Sequence, residues 1–399
     1  LAPHAFYFVA REINEFPDTE MIYSDEDKID GRARRSSPSF KPDWSPELFY
    51  SLNLVTHLSV YRTSILRDIA GFRTGFEGSQ DYDLGLRVSE RIDQSRIRHI
   101  PRVLYHWRTI PGSVALDSSE KDYAHERARK SISEHFERTG IDAAVTRGYL
   151  EWHRVKYALP EMPVVSLILS GSGSPDPVDE ILAATAYPRI EVIRTGKSFT
   201  ALNAAAGDAE GSLLCFLDLA TTAHDPQWLT ELVGVAMQKG IAGVGPKIIY
   251  PNSRIKSAGN ILGISSGVGR AHHRAPGYCR GNFFRLRVAQ NVAALPVDCL
   301  MIRKEVFNSL GGFDTEAFPD NYADVDLCIR LLEKGYRNVW TPWAEIIQSN
   351  ERIFIEDKEL DLLKARWPAY FERDPYYNPN LTSATEDLSL AFPPRISKT

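Results

Sequence analysis

The chain has 399 residues, a net charge of −5, 43% hydrophobic residues and 25% charged residues. Such a composition is that of a globular protein with a real core, long enough for two domains or a little more. The basic run Arg32–Arg35 is short, so no basic face for phosphate contacts is evident and nucleic acid is excluded as the main partner.

No apolar run approaches the ~20 residues that a membrane span requires. Cys215, Cys279, Cys299 and Cys328 form no C-x-x-C pair. That spacing indicates neither a zinc site nor a redox motif, and the reading is buried free thiols in a reducing cytoplasm.

In chain order, Leu1-Ala2-Pro3-His4 opens a helix over 3–14, followed by a strand at Met21-Ile22-Tyr23. The expectation is that the sequence starts inside a domain. The acidic cluster Asp25-Glu26-Asp27 offers hard oxygen ligands suited to Mg²⁺ or Mn²⁺, or else forms a solvated acidic turn. An apolar run Leu58–Tyr61 leads to a helix from Thr63, a turn at Gly71-Phe72, and then Asp81-Tyr82-Asp83-Leu84-Gly85-Leu86-Arg87.

Asp81 and Asp83 fall at the mouth of an amphipathic helix, where unpaired amides favour anions. They therefore read either as helix caps with no catalytic role or as the acid–base end of a catalytic domain. The next strand carries Ile100-Pro101 and ends on Tyr105-His106-Trp107-Arg108, where a histidine and an arginine could hold a metal-bound diphosphate.

A charged surface helix is expected from Ser118 to Arg138, with Ser118 or Ser119 as its N-cap, then a strand-like linker over 146–159 ending at Pro160. From Val164 the pattern is strand, helix, strand, helix, strand, ending at 212–217. That is the signature of a parallel sheet with helices on its faces. Gly171-Ser172-Gly173 is a phosphate-loop signal without the spacing of a nucleotide fingerprint. His272-His273 sits in a glycine-rich stretch, 263–281, that reads as a mobile loop.

The end of the chain repeats its beginning. Cys299-Leu300-Met301-Ile302, a helix from Lys304, a turn at Gly312-Phe313 and Asp324-Val325-Asp326-Leu327-Cys328-Ile329-Arg330 mirror the first copy. The strand that follows contains Thr341-Pro342 but ends on Gln348-Ser349-Asn350-Glu351, with no histidine. The tail Asp374–Asn380 has turn chemistry.

These residues resemble the family 2 glycosyltransferases of GT-A fold, in particular two-domain bacterial enzymes that build surface polysaccharides such as O-antigen. The likeness rests on Ile22–Lys28, Phe40–Pro46, Gly78–Leu84, Ile100–Arg108, Ala201-Leu202-Asn203, Asp324–Cys328 and the Asp374–Asn380 tail.

The resemblance implies a doubly wound α/β sheet present as one partial and one complete copy. The expected boundaries are 1–115 for the partial domain, 116–160 for a helix and linker, 161–371 for the complete copy and 372–399 for the tail. It implies an inverting glycosyltransferase using a nucleotide-diphosphate sugar, a glycan or lipid-linked acceptor and a divalent metal (Mg or Mn). It also implies a cytoplasmic location with peripheral membrane association. Asp81 would be the catalytic base and Asp324 its counterpart. Asp83, Asp326, Trp107 and Arg108 would bind substrate, and Asp25, Asp27, His106 and Asp218 would serve the metal.

The family's D-x-D falls outside this chain at the first copy. At the second copy it is reduced to Asp218 in Phe216-Leu217-Asp218-Leu219-Ala220-Thr221. The second copy is therefore expected to be catalytically weak or dead. The alternative for the whole chain is a non-catalytic carbohydrate-binding or scaffold protein of the same fold.

Overall fold

The computed structural model describes residues 1–109, 122–171, 177–265, 267–352 and 354–396. The expected N-cap at Ser118 or Ser119 and most of the Gly171-Ser172-Gly173 signal lie outside these residues. The chain divides into two compact units. The first comprises residues 1–158 with 282–284 and 375–380, and the second comprises 159–281, 285–374 and 381–399.

In the first unit, helix α1 (Ala5–Glu15) precedes the central strand β1 (Met21–Ile29). Met21, Ile22 and Tyr23 are almost wholly buried, as expected of a strand covered on both faces. β2 (Arg35–Ser39) pairs antiparallel with the distal end of β1, and β3 (Ser59–Tyr61) pairs antiparallel with its start. The long strand β4 (Ile97–Arg108) runs parallel along the other edge of β1. Its register slips between Ser24↔Ile100 and Asp25↔Val103, beside Pro101. Proline cannot donate to the ladder, so a bulge is where a strand tolerates it.

Helices α2 (Pro46–Ser51), α3 (Thr63–Asp68), α4 (Gln80–Ser89) and α5 (Asp122–Thr139) complete this unit with the hairpin β5 (Ala143–Arg147) and β6 (His153–Tyr157). α5 is no merely superficial helix. It buries Ala128, Ile132 and Phe136 at four-residue spacing, and His135 donates to or accepts from Glu90 at 2.8 Å. The expected linker strand is this hairpin.

The second unit has the βαβαβ run that its sequence pattern predicts: β7 (Val165–Ser170), α6 (Val178–Ala183), β8 (Ile190–Thr195), α7 (Phe199–Asp208) and β9 (Leu213–Asp218), with β8 and β9 both parallel to β7. There follow β10 (Thr221–Ala223), α8 (Trp228–Ala236), β11 (Ile241–Ile249), β12 (Ile255–Ser257), β13 (Asn260–Ile264), β14 (Gly267–Arg270) and β15 (Gln290–Asn291). After these come β16 (Cys299–Arg303), α9 (Lys304–Ser309), α10 (Ala323–Glu333), β17 (Arg337–Gln348), α11 (Lys358–Arg366) and α12 (Pro368–Glu372). The sheet runs β10-β17-β11-β16-β9-β7-β8.

Around β11 the first unit's pattern recurs. β16 and β12 are antiparallel on one edge and β17 is parallel on the other, with a register slip beside Pro342. The partial and complete copies are thus the same arrangement built to different extents. The stretch 263–281, expected as a mobile loop, instead contains β14 and a side-chain network. There His273 meets Glu386 at 2.7 Å, and the tyrosine hydroxyl of Tyr250 reaches His273 at 3.0 Å. The four cysteines are free thiols, three of them buried.

Candidate active site

In the first unit α4 is entered through the loop at Gly78-Ser79, and its first turn carries Asp81 and Asp83. Residues two apart on a helix point about 200° from one another, so the two carboxylates cannot share a job. Asp83 turns inward and is fully buried. It accepts from Arg87 Nε at 2.9 Å, one turn on, and from Arg73. Arg87 in turn donates to the carbonyls of Ile69 and Gly71, tying α4 to the turn after α3.

Asp81 turns the other way and is half-buried. Its protein hydrogen bond from a side chain is Asn53 Nδ2 to Oδ2 at 3.2 Å. Burial pushes its carboxyl above the ordinary aspartate range, against the opposing pull of nearby His57, the amides of the helix start and Asn53. The sheet supplies the surroundings. His57 Nδ1 meets Glu26 Oε2 at 2.7 Å, and its ring stacks on Tyr105 with centroids 4.6 Å apart and leans on Trp107 at 5.4 Å. Tyr61, the last residue of β3, is pushed up to about 12 by burial, with the Asp81 charge adding to the rise.

Asp25 and Asp27, expected as metal ligands, do not converge on a common point. Asp25 is fully buried and accepts from Lys41 N at 2.9 Å, His99 Nε2 at 2.9 Å, Asn378 Nδ2 at 2.9 Å and Asn380 Nδ2 at 3.2 Å. Every face of that carboxylate is engaged. His99, between Asp25 and Asp43, has its proton affinity lowered by burial and raised by both carboxylates, with a net rise. Asp27 meets His106 Nδ1 and Arg35 Nε, each at 2.5 Å. A guanidinium on one oxygen and an imidazole nitrogen on the other leave no donor set for a cation. Among the described residues no three His, Cys, Asp or Glu side chains are grouped so as to hold a metal ion.

The second unit repeats the inward half of this arrangement. Asp326 is fully buried and accepts from Arg330 Nε at 2.7 Å, Arg366 Nη1 at 3.0 Å and Trp367 Nε1 at 2.9 Å. Arg330 ties α10 to the carbonyls of Leu310 and Gly312 at 2.8 Å, as Arg87 ties α4.

The outward half differs. Asp324 is fully buried and gripped by both nitrogens of the Arg352 guanidinium, with further donation from Val297 N at 2.9 Å and Val325 N at 3.0 Å. Burial lowers and Asp324 raises the proton affinity of Arg352, and the net result is a rise. Asp218 is likewise occupied: Lys197 Nζ lies at 2.7 Å, Asn350 Nδ2 at 2.8 Å and Ala220 N at 2.8 Å.

Residues 154–311 match the family described as Glycosyl transferase family 2. Over 98% of its length the chain is 34% identical to the O-antigen biosynthesis protein RfbC of Myxococcus xanthus, of which it covers 34%. It is also 34% identical to protein y4gI of Sinorhizobium fredii, again over 98% of this chain but 48% of that one. Half of the chain is 29% identical to 71% of the N-acetylglucosaminyl-diphospho-decaprenol L-rhamnosyltransferase of Mycobacterium tuberculosis. Residues 154–311 are a glycosyltransferase family 2 domain.

The chain has two α/β units and spans about half or less of the first two relatives. Among the residues singled out from sequence, the fold places His106, Trp107 and Arg108 on one strand, beside Asp27, Lys28 and Ile29 respectively. Trp107 and His57 lean together near Asp81, while Arg108 is exposed. Asp83 and Asp326, expected to bind substrate, are turned to the core by helix geometry and accept from Arg87 and Arg330.

Sequence reasoning missed Glu26 as the partner of His57, and missed Asn53, His57, Tyr61 and Arg352 altogether. Only Arg352 left a legible trace, as a cation just past the strand end where the first copy carries His106-Trp107-Arg108.

Proposed function

We propose that the first unit supplies the acid–base end of an inverting glycosyltransferase and that the second is a non-catalytic copy. The observation that carries this is the contrast between two equivalent carboxylates. Asp81 is half-buried and raised in proton affinity, with no arginine or lysine paired to it among the described residues, whereas Asp324 is neutralised by a bidentate guanidinium. A general base must keep a free lone pair within reach of the proton it takes.

In this reading Asp81 accepts the proton of an acceptor hydroxyl as its oxygen attacks the anomeric carbon of a nucleotide-diphosphate sugar. The new C–O bond forms on the face opposite the leaving group. The bond from the anomeric carbon to the phosphate oxygen breaks, and the nucleoside diphosphate leaves with that electron pair. Trp107 and Tyr105, with the ring of His57, give an aromatic wall of the kind sugar rings stack against. Arg108 is an exposed cation one residue beyond Trp107.

A divalent metal, Mg or Mn, belongs to the proposal as the family's way of balancing the diphosphate. Asp25, Asp27, His106 and Asp218 do not assemble a site for it, and no step is routed through one.

The names of the Myxococcus and Mycobacterium relatives support a surface polysaccharide or lipid-linked glycan as acceptor. No helix among the described residues is long and apolar enough to cross a membrane. Work at the cytoplasmic face of the membrane, by peripheral association, is part of the same reading. The test is transfer of label from nucleotide sugars to lipid-linked glycan by the purified protein and by its Asp81→Asn and Asp324→Asn variants. Loss in the first with retention in the second is expected. Equal activity in Asp81→Asn and wild type would overturn Asp81 as the base, and no transfer by wild type would leave the chain as a carbohydrate-binding scaffold.

A further inference from the structure

Lys256, on β12 of the second unit, is a fully buried cation. A charge so placed persists only when it is well partnered. Its ammonium meets three side-chain oxygens, as many as it has N–H groups: Gln348 Oε1 at 2.7 Å, Asn350 Oδ1 at 2.8 Å and Asp298 Oδ2 at 3.5 Å. Burial lowers its proton affinity, while Asp298 and Asp218 pull the other way.

The two amides are oriented for a cation. Asn350 Nδ2 donates to Asp218 Oδ2 at 2.8 Å, and Gln348 Nε2 donates to the Asp298 carbonyl and the Thr221 hydroxyl, both at 2.9 Å. Only the nitrogen of an amide can donate to a carboxylate or a carbonyl, so each amide oxygen is left facing Lys256 Nζ. Asp218 closes β9 and Gln348 closes β17, which sets the cluster at the carboxyl ends of those strands, where open α/β sheets bind their ligands. A carboxylate and two amide oxygens, with a second carboxylate behind them, are the donors that a hard divalent cation takes. Here an ammonium has them.

The first unit has no such lysine at that place. Ser39 opposes Glu26 and Ser257 opposes Ile248, each the second residue of its central strand past the slip beside the proline. One residue back on the outer strand stands the exposed Pro38 in the first unit and Lys256 in the second. The buried lysine of the first unit, Lys41, donates instead to the backbone carbonyls of Ser24 and Thr56.

We propose that the Lys256 ammonium is the resident cation of the second unit, held by the oxygens that would otherwise take a divalent metal, so that this unit neither binds nor needs one. Asp218, expected to serve a metal, is bridged through Asn350 to this lysine and paired with Lys197 at 2.7 Å. Asp324, Asp218 and Asp298 are thus each countered by a cation of the chain itself: Arg352, Lys197 and Lys256. The inference concerns the second unit alone, and the fate of transfer in Asp81→Asn does not bear on it.

The experiment uses the whole chain with Mn²⁺ alone as the probe, followed by the paramagnetic resonance signal of the free ion and by thermal unfolding in Mn²⁺ or EDTA. In wild type the second unit is expected to unfold at the same temperature in both, and no bound Mn²⁺ should depend on Asp298. Lys256→Ala removes the ammonium and leaves the oxygens facing the vacated space. It is expected to gain a Mn²⁺ ion at roughly submillimolar concentration, with an unfolding midpoint that Mn²⁺ raises, and to lose that gain when Asp298→Asn is added. Lys256→Met, which fills the volume without charge, should lower the midpoint and gain no ion.

A Mn²⁺ site in wild type that Asp298→Asn abolishes would overturn the proposal, whether or not the lysine variants fold. So would a folded Lys256→Ala that binds no additional Mn²⁺, or a Lys256→Met as stable as wild type.

Discussion

At the mouth of α4 a carboxylate is left half-open and uncountered, while at the mouth of α10 its equivalent is sealed by a guanidinium. The helices are otherwise alike, down to the inward aspartate and the arginine one turn later that ties each helix to the preceding turn. The comparison separates what the fold needs from what chemistry needs. The Asp83–Arg87 and Asp326–Arg330 clamps are present in both units and hold the helix in place. Among the described residues, the open carboxylate and its neighbouring histidine occur together in the first unit.

The largest effect that could break this comparison is on turnover. Asp81→Asn is expected to lower kcat for sugar transfer by about 10²–10⁴-fold, the usual range for losing a general base. Asp324→Asn should leave kcat alone and instead lower the stability of the second unit by about 3–5 kcal/mol. It strands Arg352 as a buried, unpaired cation, and the check is denaturant unfolding. Pairing that change with Arg352→Leu should recover most of the loss, because removing both charges is far cheaper than removing one.

Next come the clamps. Asp83→Asn and Asp326→Asn are expected to cost roughly 1–3 kcal/mol each, measured as shifts in the unfolding midpoint of the corresponding unit. Equal costs in both would mark them as structural. A selective loss of substrate affinity in Asp83→Asn would restore the role expected from sequence.

The smallest effects are in pH dependence. Asp81 has its folded pKa raised above the unfolded value, so its contribution to stability is fully present below the unfolded pKa and is lost as pH rises through the folded one. Asp81→Asn should therefore be slightly more stable than wild type at neutral pH and indistinguishable from it in acid. The acid limb of the transfer rate should lie above the ordinary aspartate range. His99 is also raised, by Asp25 and Asp43 acting against burial. The first unit should lose stability as pH climbs through that folded value, a slope that His99→Gln removes.

Much of the fold was legible. Apolar runs bounded by turns gave the βαβαβ stretch within a residue or two, and the repeat gave the common arrangement around β1 and β11. The site was half legible. Asp81 stood out because a helix start favours an anion, but Asp83, expected to bind substrate, is turned by the helical period to the other side, against Arg73 and Arg87. Asn53, His57 and Tyr61 carry no spacing signal. They meet Asp81 and Glu26 only because β3 and β4 pair with β1. The lock on Asp324 was hidden for a related reason, since Arg352 reaches α10 from the far end of β17.

The bonds from Asn378 and Asn380 to Asp25 tie together residues 353 and 355 positions apart, within one unit. On a ribosome adding about 5–20 residues per second, Asp25 waits tens of seconds for those amides, while most of the second unit is made in between. The first unit is therefore finished only after most of the second has been made. A nascent chain cut short before Pro375 would hold the Asp25–His99–Asp43 cluster with its cap missing. Termination before Pro375 should thus be read out as exposure of β1 to proteases and chaperones.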